Sequence, residues 1–102
     1  MEQLLNQLDQ NLKELYRKAV DADALLDELA QQGQAKHQAI FPADSLFRIS
    51  SPRFLPYLSE TAEQVASIRL TQQFNTATLE LVVKQLQLLH KTLLEFRTAL
   101  SR

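Results

Sequence analysis

Apolar residues recur along the first third of the chain at Leu4, Leu8, Leu12, Leu15, Ala19, Ala22, Leu26 and Leu29, in alternating steps of four and three. Such steps hold every one of them on a single stripe of an α-helix. The spacing predicts one long first helix from Glu2 to Gln32. Gly33, just past the last apolar position, is the residue best suited to the left-handed conformation that closes a helix.

Between Gln34 and Ser51 the periodicity stops and Pro42 interrupts. Asp44 or Ser45 is placed to cap one short helix carrying Leu46, Phe47 and Ile49. The apolar cluster Ile40, Phe41, Leu46, Phe47 and Ile49 is too dense for a solvated linker and is expected to plug one end of a bundle. A second long helix starts at Ser51-Pro52, which has the form of an N-cap and first-turn proline, or one turn later because of Pro56. Phe54 leads into its face of Leu58, Ala62, Val65 and Ile68, and the polar stretch Thr71 to Asn75 ends it. Asn75 or Thr76 caps a last helix whose Leu79, Val82, Leu86, Leu89, Leu93, Phe96 and Leu100 again step by three and four. The expected fold is all-α: residues 1–102 form a single antiparallel helical bundle of three long helices and one short one, joined by short connections.

Composition agrees with this reading. One glycine and three prolines leave little for turn-rich β architectures, and a 102-residue chain that is 45% hydrophobic can fill one core. The absence of cysteine removes disulfides, thiolate metal sites and cysteine nucleophiles. His37 and His90 have no partner at a metal-site spacing, and no phosphate loop or nucleophile elbow occurs. Asp27 with Glu28, and Glu60 with Glu63, are expected to be solvated pairs on polar faces. No enzyme, cofactor, metal or small-molecule substrate is expected. Met1-Glu2-Gln3 opens no secretory leader and no apolar run reaches the roughly 18 residues of a membrane span, so a soluble, cytoplasmic protein is expected.

The net charge of −1 is unevenly spread: residues 1 to 34 carry seven acids and three bases, residues 35 to 102 five acids and eight bases. Several basic residues stand out against that background. Arg69 falls within the apolar face of the second helix, where it either snorkels outward or pairs with a first-helix acid, or else anchors a phosphate or carboxylate. Val83, His90 and Arg97 make one heptad row of the last helix, where Lys84, Lys91 and Arg97 suggest a positive strip against Glu95. Aromatics interleave with bases at Phe47-Arg48 and Arg53-Phe54, and Tyr57 is the one candidate for stacking on a nucleobase. Leu81 and Leu88 lie opposite the main apolar row of the last helix, so that helix is either buried on both sides or offers a groove to a partner.

Taken in order, Leu46-Phe47, Tyr57-Leu58-Ser59-Glu60, Val65-Ala66-Ser67-Ile68-Arg69 and the run Leu81 to Leu93 resemble the PriC family of primosomal replication proteins, and Leu5, Leu8, Leu12, Leu15 and Arg17 fit the same pattern. The resemblance covers nearly the whole chain, with a longer stretch around Leu25 to Gln38, and is to the family's N-terminal helical domain. It implies a helical protein without enzymatic activity that recognises abandoned replication forks, contacts single-stranded or forked DNA and the single-stranded DNA-binding protein SSB, and assists reloading of the DnaB helicase. Arg69 is the basic residue that matches the family pattern. The family's second, arginine-rich helical region has no counterpart here, so the DNA and SSB-tail binding tied to that region does not transfer. The residues expected to bind nucleic acid or partner are Arg48, Arg53, Tyr57, Arg69, Lys84, Lys91 and Arg97. A rival expectation is a helical adaptor or export chaperone that holds an amphipathic partner helix near Leu81 and Leu88.

Overall fold

A computed structural model describes residues 2–34, 38–73 and 75–100, which leaves His37 outside the described residues. Three helices, α1 (Glu2–Gln31), α2 (Leu55–Thr71) and α3 (Thr76–Leu100), form the bundle, and no strand occurs among the described residues. The apolar stripes of all three close on one core that includes Leu8, Leu15 and Ala19 from α1, Leu58, Val65 and Ile68 from α2, and Val82, Leu86, Leu89 and Leu93 from α3. Each such leucine or valine contributes about 1.5 to 3 kcal/mol on burial.

The helix ends follow from local chemistry. At the end of α1, Gly33 takes a φ of 73°, the Gln34 N–H donates to the Leu29 carbonyl at 2.8 Å and the Gly33 N–H to that of Ala30 at 3.1 Å. These two bonds satisfy carbonyls that would otherwise end the helix unpaired. Gln72 closes α2 in the same left-handed region, with a φ of 55°, and the Asn75 side chain accepts the Ala77 N–H at 2.9 Å to cap α3. Neighbouring helices run antiparallel: Asp9 meets Arg69 and Asp27 meets Arg53 across α1 and α2, while Phe54 meets Phe96 and Gln64 meets Gln85 across α2 and α3. It follows that α1 and α3 are parallel.

The start of α2 is set from outside the helix. The chain does not turn helical at Ser51-Pro52; it does so at Leu55, with Pro56 in the first turn, where a missing N–H costs nothing. Phe54 supplies no capping side chain. Instead Asp23, buried on α1, accepts the Phe54 N–H at 2.7 Å with one carboxylate oxygen and the Leu55 N–H at 3.0 Å with the other. One carboxylate thus fills the role of an N-cap and at the same time fixes α1 against α2.

The expected short helix is absent, and the connection between α1 and α2 is long, from residue 32 to residue 54. A helix needs its N–H groups for carbonyls four residues back, and here side chains of α2 take them instead. One Glu60 oxygen accepts the N–H groups of Arg48 and Ile49 at 2.9 and 3.0 Å, and the Tyr57 hydroxyl accepts those of Ser51 and Phe41 at 2.9 and 3.3 Å while donating to the Ser51 carbonyl. Phe41 and Phe47 stack at 5.2 Å, and each meets the Tyr57 ring edge-on. Gln85 of α3 completes the attachment. Its amide nitrogen donates to the Leu46 carbonyl and to the second Glu60 oxygen, and its amide oxygen accepts from Thr61 and Gln64. The connector therefore covers the flank between α2 and α3 and does not plug an end of the bundle.

Replacing Asp23 with alanine strands two backbone N–H groups at a buried helix start, and is expected to cost about 1 to 3 kcal/mol. Asp23→Asn keeps one good acceptor and should cost less. Urea denaturation followed by circular dichroism measures both, and equal stability of all three proteins would refute the capping role.

Candidate docking surface

The seven residues expected to bind nucleic acid or partner are not brought together. Tyr57 has none of its surface exposed: its ring is packed between Phe41 and Phe47 and its hydroxyl is engaged by the connector, so it has no face on which a base can stack. Arg53 donates from Nε to Asp27 at 2.8 Å and from Nη1 to the Pro52 carbonyl at 3.0 Å. Arg69 forms an ion pair with Asp9, a first-helix acid, as one of the alternatives drawn from the sequence requires. These two arginines lie near opposite ends of α2, about 24 Å apart by helix rise.

On α3, Lys84 and Lys91 share a row on the outward face, while Arg97 sits about 120° around the helix beside His90 and Val83. The outward row is not uniformly positive, because Glu80 and Glu95 lie on it with the two lysines. Signs alternate along this face, as on an ordinary solvated helix. Leu81 and Leu88 are half-buried, on the same side of α3 as Gln85, and Leu88 packs against the core. Gln85 holds the connector there, so that side of α3 is covered.

The open apolar surface is elsewhere. A groove of about 550 Å³ runs between α1 and α3, floored by Ala22, Leu93 and Phe96, walled by Leu25, Leu94 and Leu100, and rimmed by Lys18, Asp21 and Arg97. Leu94 exposes 66% of its surface and Leu25 42%, large values for leucines that face one another across two packed helices. The sequence held a signal for them. Each belongs to a Leu-Leu doublet, Leu25-Leu26 and Leu93-Leu94, of which one member fills the core stripe and the other is turned about 100° outward.

One polar rung marks the N-terminal side of this groove. The Asn11 amide nitrogen donates to the Gln7 carbonyl at 2.9 Å, which turns its oxygen toward His90, 3.1 Å from Nε2. With that oxygen as acceptor, Nε2 donates, and the ring bridges the two helices. Partial burial holds the His90 pKa below its ordinary 6.5, the Lys18 ammonium lowers it further, and the Glu14 carboxylate opposes them.

Among the described residues no group of histidines and carboxylates is arranged to hold a metal ion, and every buried side-chain polar atom has a partner. No described helix is long and apolar enough to cross a membrane. What the surface offers chemically is apolar area beside a few charges, which suits a macromolecular partner. Comparison with protein-family models, with curated proteins and with solved structures finds no match.

The His90 rung makes stability depend on pH in a defined direction. With its folded pKa below the unfolded value, the unfolded chain takes up the proton first as pH falls. The stabilisation is complete above the ordinary 6.5 and is lost as pH drops through that value toward the folded pKa. Unfolding free energies measured between neutral and mildly acidic pH should therefore fall less steeply for His90→Gln than for the parent protein; identical slopes would show that the ring titrates alike in both states.

Proposed function

We propose that this chain is a replication-restart accessory domain of the PriC type, which works without catalysis by holding a protein partner at a fork. The observation that carries the binding part is the α1–α3 groove, where three leucines from two helices stay exposed around an apolar floor. Its size and composition suit an apolar side of SSB or of the DnaB helicase, in a cytoplasmic setting. The replication part rests on the ordered resemblance, and the positions that carry it have clear work in the fold. Phe47 stacks within the core, Tyr57 and Glu60 hold the connector, and Arg69 ties α2 to α1. The resemblance is therefore one of scaffold, and it leaves the partner-facing surface to be read from exposure.

Forked DNA enters this proposal as a secondary ligand. Arg53 and Arg69 are held in ion pairs with α1, which leaves Arg48, Lys84 and Lys91 as the exposed side chains best placed to meet phosphates. The alternative function, a helical adaptor or export chaperone, draws on the same groove, since a groove between two helices accepts a third. Salt separates the two: binding through phosphates weakens steeply as salt rises, and apolar binding does not.

The expected outcome is that Leu94→Asp, and Leu25→Asp with it, abolishes binding of SSB or DnaB while circular dichroism shows the bundle intact. Reversing Arg48, Lys84 and Lys91 to glutamate should weaken binding to forked DNA and make its salt dependence shallower, by about 0.9 in the log–log slope for each phosphate that is no longer neutralised. Fluorescence anisotropy with labelled fork DNA and with each protein measures both. If neither SSB nor DnaB binds the parent domain and an unrelated amphipathic helix does so independently of salt, the adaptor reading replaces the replication one.

A further inference from the structure

The groove on the other side of α1, between α1 and α2, differs in character from the one that faces α3. It is shallower, about 350 Å³, with Leu12, Leu55 and Leu58 as its floor. Its α1 wall carries Lys13, Tyr16 and Arg17, and Tyr16 exposes 58% of its surface. Its α2 lip carries only Ser59 and Ala62, small residues that let another backbone come close. Two cations therefore flank an apolar floor whose lining contains no carboxylate.

The acids nearest these cations along α1 are directed elsewhere. Asp9 is paired with Arg69, Asp21 lines the α3 groove, and Glu14 acts on His90 of α3. No hydrogen bond or ion pair engages Lys13 or Arg17 among the described residues. The ion pairs Asp9–Arg69 and Asp27–Arg53 bracket the groove, and along α1 they stand about 27 Å apart, the length of about 18 helical residues.

We infer that this groove docks an acidic amphipathic helix of a partner protein, apolar on one face and bearing aspartate or glutamate along the edge that meets Lys13 and Arg17. Charge complementarity selects the acid, the apolar floor selects the amphipathic face, and the small α2 lip admits a helix backbone. Tyr16 and Arg17 are the residue types that most often dominate such interfaces. A single-stranded nucleic acid fits less well: the exposed tyrosine offers stacking, but the cations stand on one wall only, and the arginines of the α2 wall are spent on Asp9 and Asp27. This surface is distinct from the α1–α3 groove, and the inference does not rest on the replication reading.

The test uses a fluorescein-labelled amphipathic helical peptide of about 18 residues with glutamates along one edge of its leucine face, a matched peptide with lysines there, and a single-stranded oligonucleotide of similar length. The glutamate peptide should bind the full chain, shift the amide resonances of Leu12, Tyr16, Leu58 and Ala62, and weaken as salt rises. Lys13→Glu with Arg17→Glu should lower that affinity at least about tenfold and transfer the preference to the lysine peptide, and Tyr16→Ala should also lower it about tenfold. All three positions are solvent-facing, and a circular dichroism melt checks that each variant stays folded. Leu94→Asp, in the other groove, should leave this binding unchanged, so the two surfaces can fail separately. Absence of peptide binding, resonance shifts confined to Leu25, Leu94 and Leu100, or preferential binding of the oligonucleotide at Tyr16 would each overturn the inference.

Discussion

The Asp23 carboxylate is the interaction on which the arrangement of helices depends. It sits on α1 with 8% of its surface exposed, an expensive place for a charge unless hydrogen bonds replace the lost water. The replacement is the pair of N–H groups that open α2, which themselves lack intrahelical partners. Each side of this contact needs the other. Asp9, Asp23 and Asp27 lie close to one row of α1, and they meet the end, the start and the lead-in of α2; the buried Asp23 adds a polar contact that holds only in one register, and the two exposed ion pairs agree with it.

A second polar cluster does for the connector what Asp23 does for α2. Gln85, Thr61 and Tyr57 have no exposed surface, and the partly buried Glu60 joins them, yet all four amide positions of Gln85 are used. A fully satisfied network of this kind rigidifies and specifies one packing, whereas a partly satisfied one would be costly. It also determines which surface remains open. The connector lies over the flank of α2 and α3, so the grooves on either side of α1 are the ones left for partners.

The helices were legible because their information is local. The three-and-four spacing of leucines, Gly33 and the Asn75 cap are all read within one turn of the element they define, and each is found where the pattern places it. The start of α2 was legible only as a choice of two: the later one, a turn past Ser51-Pro52, is the one found, but its cap comes from a residue 31 positions earlier, which no local pattern shows. The connector misled for a similar reason. Glu60 and Tyr57 look like solvated and stacking residues in isolation, and only tertiary contact turns them into acceptors for a loop backbone. Of the candidate site, the sequence offered a first-helix acid as the partner of Arg69 but gave no sign of the Arg53–Asp27 pair, and of its two readings of Leu81 and Leu88 the covered one is nearer, while Leu25, Leu94 and Leu100 are among the exposed leucines. Helix period tells which residues share a side; it does not tell which side another segment will cover.

The connector also couples segments mechanically. Because Glu60, Tyr57 and Gln85 lash it to α2 and α3 through backbone hydrogen bonds, those three segments open only together. Helix α1 is fastened by the same kind of bond, since Asp23 accepts the two N–H groups that open α2, so its departure strands them just as loss of the strap strands those of the connector. Slow amide exchange is therefore expected at Arg48, Ile49, Ser51, Phe54 and Leu55, whose N–H groups end on side chains of another segment and are freed only when segments far apart in the chain separate.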